Sequence, residues 1–413
     1  MPASLGRRAF LAGSTVLLGC GRSGTTSTAP APAPVPLDEL DEPDEPDAAP
    51  APRPSPPPAS VHALFDAYPA LARSLPRVAL GSFPSAVDHA VSLVGDGSLW
   101  IKRDDDFTRR VAAPAGADLA RLFGGGKVRK LELYFGEARA QGKRTLVTSG
   151  GTGSNQALAV ALLGRALGFA VRVHLTAQPA SSLVQQNLAA DAAAEAELRL
   201  FDTVGEGHAA AVSEAAKRGS DVYVIPPGGT TPLGTLGFVS AGMELAADVR
   251  AGRLPAPRNV YIALGLGGSA AGLGIGCALG GLATEIVAVR ASSPGSVTAA
   301  TLRGIHAETM TLLRARDPSV PAVAAAAANV RIDGRFVGAG YGAPSAAGAD
   351  AIARAHDREG WELDPVYTGK ALAALLDDAR TPAAGSTRLF WNTMSSRPVA
   401  LADVPPAFRR FLK

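Results

Sequence analysis

The chain has 413 residues, 47% of them apolar and 19% charged, with 40 Lys and Arg against 37 Asp and Glu for a formal charge of +3. That is enough apolar chain to bury one full-sized core, or two, and the scattered basic residues leave no electrostatic footprint for DNA or RNA. Two cysteines, Cys20 and Cys277, make no disulfide framework, and six histidines spread along the chain lack the short spacing of zinc ligands, so no metal is expected.

In chain order, Arg7 and Arg8 come before Phe10-Leu11 and a short apolar run that ends in Leu17-Leu18-Gly19-Cys20. A membrane helix needs about 20 apolar residues; the shorter run makes residues 1–20 a cleavable signal segment. The paired arginines resemble a twin-arginine signal, and the run ending in Cys20 resembles a lipobox whose cysteine is acylated after cleavage. An ordinary basic N-terminus with a chance cysteine is the alternative. Residues 21–60 are mostly Pro, Ala, Asp, Glu, Ser and Thr, which fill no core and favour extended polyproline, so they are expected to form a disordered, semi-stiff linker. Signal, lipobox and spacer together predict an exported protein, periplasmic or tethered to the membrane only through a lipid on Cys20, with a cytoplasmic location as the alternative.

Over 61–413, short β-rich runs alternate with Ala-rich amphipathic stretches, the pattern of an α/β fold with mainly parallel, twisted sheets covered by helices. Strands are expected at 99–102, 145–148, 170–175, 222–225, 260–264 and 286–290. Helices are expected at 128–141 and 156–167, stopped by Gly142 and Gly168. The length suits two αβα lobes, with ligands held where loops leave the carboxyl ends of strands.

Three glycine-rich segments stand at expected helix starts, where unpaired N–H groups attract anions. Ser149-Gly-Gly-Thr-Gly-Ser-Asn-Gln156 follows a strand and offers Ser154, Asn155 and Gln156 as hydrogen-bonding side chains. Gly265-Leu-Gly-Gly-Ser-Ala-Ala-Gly272 lacks bulk almost throughout, so its backbone can touch a phosphate. Neither ends in the Gly-Lys-Ser/Thr of a P-loop, and each alone could be a tight turn. Gly124-Gly-Gly-Lys-Val-Arg-Lys-Leu-Glu132 sets Lys127 at the head of a helix. Buried there, a lysine has a depressed pKa and can form an imine; on the surface it would be ordinary. A lysine with two anion loops is the inventory of a pyridoxal 5'-phosphate (PLP) site.

Taken in order, Ile101-Lys-Arg-Asp-Asp105, the Lys127 segment and the Ser149–Gln156 loop resemble the motifs of the 1-aminocyclopropane-1-carboxylate (ACC) deaminase and D-cysteine desulfhydrase family. Ile225-Pro-Pro-Gly-Gly229, Pro232-Leu-Gly234, Gly340-Tyr-Gly342 and Leu363-Asp-Pro-Val-Tyr-Thr-Gly-Lys370 continue the likeness, which covers residues 61–413. The resemblance implies fold type II with the tryptophan synthase β-like fold, PLP in the cleft between lobes, a smaller lobe of about 131–245 inserted in the larger, and a homodimer. It also implies that Lys127 holds PLP, that Lys130 and the loop of Gly267, Gly268, Ser269, Ala270 and Ala271 hold its phosphate, and that Asn155 contacts the ring oxygen and Thr393 the pyridine nitrogen. Ser154, Asn155 and Gln156 would bind the substrate carboxylate, and Tyr341 and Tyr367 would close the site and move protons. Thr368, near the ring, is the position that by the same resemblance points to D-cysteine or a related D-amino acid rather than ACC.

The implied activity is that of a lyase: Lys127 removes the α-proton, a group leaves the β-carbon, and keto acid and ammonia result. ACC ring opening is the alternative substrate reading. The family usually has Asn at Gly126, Ser or Thr at Leu266, and His-Thr-Gly-Gly where this chain reads Asn392-Thr-Met-Ser395, with an insertion between Asp106 and Phe123. These departures leave open a protein that binds PLP or an amino acid at the envelope without turnover.

Overall fold

The computed structural model describes residues 62–95, 97–107, 123–217, 219–293, 295–380 and 386–412. The expected signal segment, Cys20, the Pro-rich linker and most of the insertion after Asp106 lie outside them. Two short helices, α1 (Ala63–Ala67) and α2 (Pro69–Ser74), come before β1 (Val87–His89) and β2 (Leu99–Arg103). Next come α3 (Val128–Ala140), β3 (Thr145–Gly151), α4 (Asn155–Ala166), β4 (Ala170–Thr176), α5 (Ser182–Ala193), β5 (Glu197–Leu200), α6 (Val204–Ala215) and β6 (Val222–Ile225). The chain continues through α7 (Pro232–Arg250), β7 (Asn259–Leu264), α8 (Gly268–Leu279), β8 (Glu285–Arg290), α9 (Ala299–Arg316) and β9 (Val330–Asp333). It closes with α10 (Ala346–Glu359), α11 (Thr368–Ala379) and β10 (Arg388–Asn392).

The strands form two sheets. The larger runs β1-β2-β10-β7-β8-β9, parallel except for the antiparallel β1–β2 pair, and the smaller is the parallel set β5-β4-β3-β6. All four strands of the smaller sheet fall between β2 and β7 in sequence, inside the span 131–245 expected for an inserted lobe. Alternation along the larger sheet's strands explains its layers. Val260, Ile262, Ile286, Ala288, Leu389 and Trp391 pack on one face with Phe238 of α7 and Leu273 of α8. Tyr261, Val287, Val289 and Phe390 point the other way, to Ala351 of α10 and Leu372 of α11. Successive side chains of a strand point to opposite faces, so a run apolar at every position needs helices on both sides.

The expected elements fall where the sequence placed them, with shifted ends. Gly142 and Gly168 take left-handed backbone at φ +66° and +84° just past α3 and α4, as helix stops do. One of these helices starts a residue early, at Asn155, because Ser154 caps it: its Oγ accepts the Ala157 N–H at 3.2 Å. β3 runs on to Gly151 rather than ending at Thr148, so the first glycine loop begins inside a strand. Helices α7 and α8 meet backbone to backbone; a Cβ on Gly276 would lie 2.1 Å from the Val239 carbonyl oxygen. That crossing fixes where the N-terminus of α8 points. Among the described residues, no helix is long and apolar enough to cross a membrane.

Candidate active site

The carboxyl ends of β3, β7, β8 and β10 open into one cavity of about 340 Å³. Its wall includes Lys127, Lys130, Ser154, Asn155, Gln156, Tyr341, Tyr367 and Thr393, together with Gly267, Gly268, Ser269 and Ala270. Segments separated by more than two hundred residues in sequence therefore meet around a single volume, as expected for ligand sites in parallel sheets.

Lys127 ends a 3-10 turn, Gly125–Lys127, that leads into α3. The turn presses on the exit of β10: the Gly126 N–H donates to the Thr393 carbonyl at 3.0 Å, and Gly125 is at φ +52°, where a Cβ would lie 2.3 Å from that same oxygen. Only glycine allows this approach, and it brings the expected lysine and the expected ring-nitrogen partner together. Burial lowers the Lys127 pKa, with Asp364 pulling the other way. Lys130, one turn on, is pushed well below its ordinary range by burial and then by Lys127, and its Nζ donates to the Gly228 carbonyl at 3.1 Å.

Beneath these lysines is a buried ionic network that holds α3 in place. Arg129 donates to Asp104 at 2.7 Å and to Glu244 at 2.9 Å, Lys102 reaches Glu244 at 2.7 Å and Asp248 at 2.6 Å, and Trp391 Nε1 donates to Asp104 at 2.7 Å. Burial opposes charge on Glu244, but Arg129 and Lys102 prevail and hold its carboxyl down at about 2. Segments from β2, α3, α7 and β10 are thereby locked with Lys127 facing the cavity.

At the end of β3, both polar atoms of the Gln156 side chain and the Oγ of Ser149 are buried on the cavity wall without a protein partner. Buried polar atoms are rarely left unpaired, so this wall suits a polar ligand such as a carboxylate, or ordered water. Ser154 Oγ already accepts a cap hydrogen bond and keeps its own proton to donate. Asn187 donates to Asn155 Oδ1 at 3.1 Å, which fixes the amide so that its NH₂ faces Met394 Sδ, 3.7 Å away, and the cavity.

The second expected anion site lies at the N-terminus of α8. Gly267 caps it at φ +99°, where a Cβ would meet Leu302 at 2.9 Å. The first N–H groups of the helix, on Gly268, Ser269 and Ala270, face no earlier turn and are free for an anion. Ala271 departs from expectation, because its N–H already donates to the Gly267 carbonyl at 3.0 Å and it does not line the cavity.

Opposite these anion sites in chain order, Tyr367 donates its hydroxyl proton to Tyr341 Oη at 3.1 Å. Burial raises both phenols, and Tyr341 and Asp364 raise Tyr367 further. Thr368 also departs from expectation. Its hydroxyl accepts the Asp364 N–H at 2.9 Å and donates to Asp364 Oδ2 at 2.8 Å, and it does not line the cavity. It packs behind the site because it is the first residue of α11, paired to the carboxylate that caps that helix. Asp364 itself was not foreseen: it accepts the N–H groups of Val366 and Tyr367 at 3.0 and 2.7 Å and sits on the cavity wall. An Asp just ahead of a helix start was the available signal. Ser149 and Asn187 had none beyond their places in a loop and a helix.

The residues present fit PLP: a lysine of depressed pKa, free helix N–H groups for a phosphate, and unpaired buried polar atoms for a carboxylate. The pyridoxal-phosphate-dependent enzyme family matches residues 117–393. A nocardicin C-9' epimerase from Nocardia uniformis subsp. tsuyamanensis is 36% identical over 81% of this chain and 97% of that protein. A D-cysteine desulfhydrase from Salmonella paratyphi B is 27% identical over 73% of this chain and 88% of that protein. The crystal structure of an ACC deaminase homologue superposes with a TM-score of 0.66 at 28% identity, covering 81% of this chain and 95% of that one. With its α/β fold of type II and its cofactor PLP, the chain belongs to the pyridoxal-phosphate-dependent enzymes, in the family of ACC deaminase and D-cysteine desulfhydrase.

Proposed function

We propose that the protein removes the α-proton of a small amino acid and expels a group from its β-carbon, releasing a keto acid and ammonia, with D-cysteine or a related D-amino acid as substrate, a choice that rests on the likeness to a D-cysteine desulfhydrase and not on Thr368, which lies off the cavity. The observation that carries this reading is that Lys127, the paired Tyr341 and Tyr367, and the ends of two glycine-rich loops line a single cavity. PLP, when bound, supplies the electron sink that makes a bond at the α-carbon easy to break. Everything else falls to this chain's side chains.

Lys127 would hold the cofactor covalently and, once freed by the incoming amine, take the α-proton at Nζ. Its lowered pKa keeps more of the amine neutral and so able to accept that proton. The N-terminus of α8 would hold the phosphate, and Thr393 the ring nitrogen. Asn155, its NH₂ turned to the cavity by Asn187, would donate to the ring oxygen. Ser154 and Gln156 would orient the carboxylate and so fix which bond at the α-carbon stands over the ring. The phenols are raised by burial, so the pair stays protonated near neutral pH and can hand a proton from Tyr341 Oη to a leaving group or a carbon.

A second reading, epimerisation at the α-carbon, draws on the nocardicin epimerase likeness and on Tyr341, which gives the cavity a proton-bearing atom besides Lys127. ACC has no α-hydrogen, so its ring opening is a third reading of the same cavity that would begin by breaking a ring bond rather than by removing an α-proton. Incubating the purified protein with small D- and L-amino acids and ACC in deuterated water separates them. Keto acid and ammonia from a D-amino acid support the proposal, and the same products from ACC support ring opening. Solvent deuterium at an inverted α-carbon without ammonia overturns elimination in favour of epimerisation. Neither product with any substrate leaves the protein as a binder.

A further inference from the structure

A buried serine that the glycine loop does not contain stands beside the phosphate end of the cavity. The β7–β8 ladder pairs Leu264 with Arg290 and continues one step, with the Ala291 N–H donating to the Leu264 carbonyl at 3.0 Å. Extending that parallel register sets Ser292 abreast of Leu266. Ser292 is 7% exposed, its Oγ is buried without a hydrogen-bond partner, and it lines the same cavity as Gly267, Gly268 and Ser269. Buried hydroxyls are rarely left unpaired, so the Ser292 Oγ points to a ligand that satisfies it.

The segment that bears Ser292 is fixed in place. Arg290 Nη2 donates to the Val297 carbonyl at 2.8 Å and Ser296 Oγ to the Ser293 carbonyl at 2.7 Å. The far end of the segment packs on the glycine turn, with Val297 Cγ1 3.5 Å from where a Gly267 Cβ would be. Leu266, in contrast, has nothing to donate. Its side chain is 42% exposed and leans toward Gly228, whose Cβ would meet Leu266 Cδ1 at 3.1 Å. Beyond its backbone N–H groups and Ser269, the loop after β7 offers a phosphate no donor at Leu266, while a phosphate has three free oxygens to satisfy.

Resting on the PLP site above, we propose that Ser292, from the loop after β8, donates its hydroxyl proton to the cofactor phosphate at the N-terminus of α8, filling the place a hydroxyl at position 266 would take. The substrate carboxylate would be served by the other end of the cavity, at Ser154, the cap of α4, and Gln156 in its first turn, so the two anion sites keep separate donors.

The test is to titrate the purified full-length protein with PLP and, separately, with pyridoxal, which lacks the phosphate, following the yellow imine absorbance and the thermal midpoint. Ser292→Ala should weaken PLP about tenfold, the scale of one hydrogen bond to a charged group, and leave pyridoxal unchanged. Ser292→Thr, which keeps the hydroxyl, should retain PLP affinity. Inorganic phosphate should compete with PLP about tenfold less well in Ser292→Ala than in the unsubstituted chain. Adding Leu266→Ser to Ser292→Ala should restore most of the loss. Equal weakening of PLP and pyridoxal would make Ser292 a packing residue and overturn the proposal, as would unchanged PLP affinity in Ser292→Ala. If the unsubstituted chain takes up neither compound, the cofactor reading falls with it, an outcome distinct from both.

Discussion

Two lysines one helical turn apart share the cavity wall, and their neighbours divide their tasks. Lys130 is spent on the Gly228 carbonyl, whereas Lys127 stands at the end of the glycine turn with its pKa lowered by burial. Lys127→Ala should abolish the yellow absorbance, and Lys127→Arg should not restore it, since a guanidinium stays protonated and forms no imine. Lys130→Ala should keep the colour and bind cofactor less tightly. Colour that survives Lys127→Ala and vanishes in Lys130→Ala would reverse the assignment. Thr368 teaches where reading by motif stops. Its place in a run of functional residues was legible, but which way a side chain turns at a helix start depends on the carboxylate it meets, here Asp364. Thr368→Glu would set a second carboxylate against Asp364, so the expected outcome is a lower thermal midpoint with the substrate profile unchanged; a shift in substrate preference at an unchanged midpoint would restore Thr368 to the site.

At the scale of elements, α3 is held to the N-terminal segment by a titrating group. Glu132 accepts the N–H groups of Leu80 and Gly81 at 2.9 and 3.2 Å, and its other oxygen lies 3.3 Å from His62 Nε2. Burial, outweighing those hydrogen bonds, raises the Glu132 carboxyl from 4.5 to about 7. Burial, with Arg77 and Arg129 beside it, pushes His62 from 6.5 down to about 3. The fold thus favours a proton on Glu132 and none on His62. The Glu132 contribution is complete below 4.5 and is lost as pH rises through about 7, a loss on the order of 3 kcal/mol. The His62 contribution has the opposite sense and is lost as pH falls from 6.5 toward about 3. Between 4.5 and 6.5 the two nearly cancel, and the Glu132 fall stands alone only above 6.5; Glu132→Gln, which keeps an acceptor for Leu80 and Gly81 but cannot ionise, should abolish that fall and leave a thermal midpoint that climbs with pH up to about 6.5, and an unchanged profile would place the titration elsewhere. Element by element, the strands and helices were readable because glycine stops and capping residues fall between apolar runs. The ends of β3 and α4 were not, since they depend on Ser154 folding back to cap its own helix.

For the whole molecule, the paired arginines and Cys20 motivate a proposal that rests on sequence alone: export in the folded state followed by acylation. Arg7→Lys with Arg8→Lys should strand the protein in the cytoplasm, and Cys20→Ala should leave it exported but absent from the membrane fraction. Full-length chain found soluble in the cytoplasm of its native host with residues 1–19 still attached would overturn this. The two-sheet plan was legible in length and alternation, but strand order was not. Nothing local in 388–392 says that this segment lies between β2 and β7, because the pairing spans most of the chain and is decided by burial on both faces and by the ionic network beneath. That placement has a consequence for how the protein is made. Synthesis delivers the third strand of the six-stranded sheet almost last, so a growing chain has both flanks of the cofactor cleft and a gap where Thr393 and its strand belong. Folding of the larger sheet waits on such late, distant pairings. Cofactor capture is then expected to act as a completeness check: chains truncated before β10 should stay colourless when mixed with PLP, and only a finished polypeptide should turn yellow.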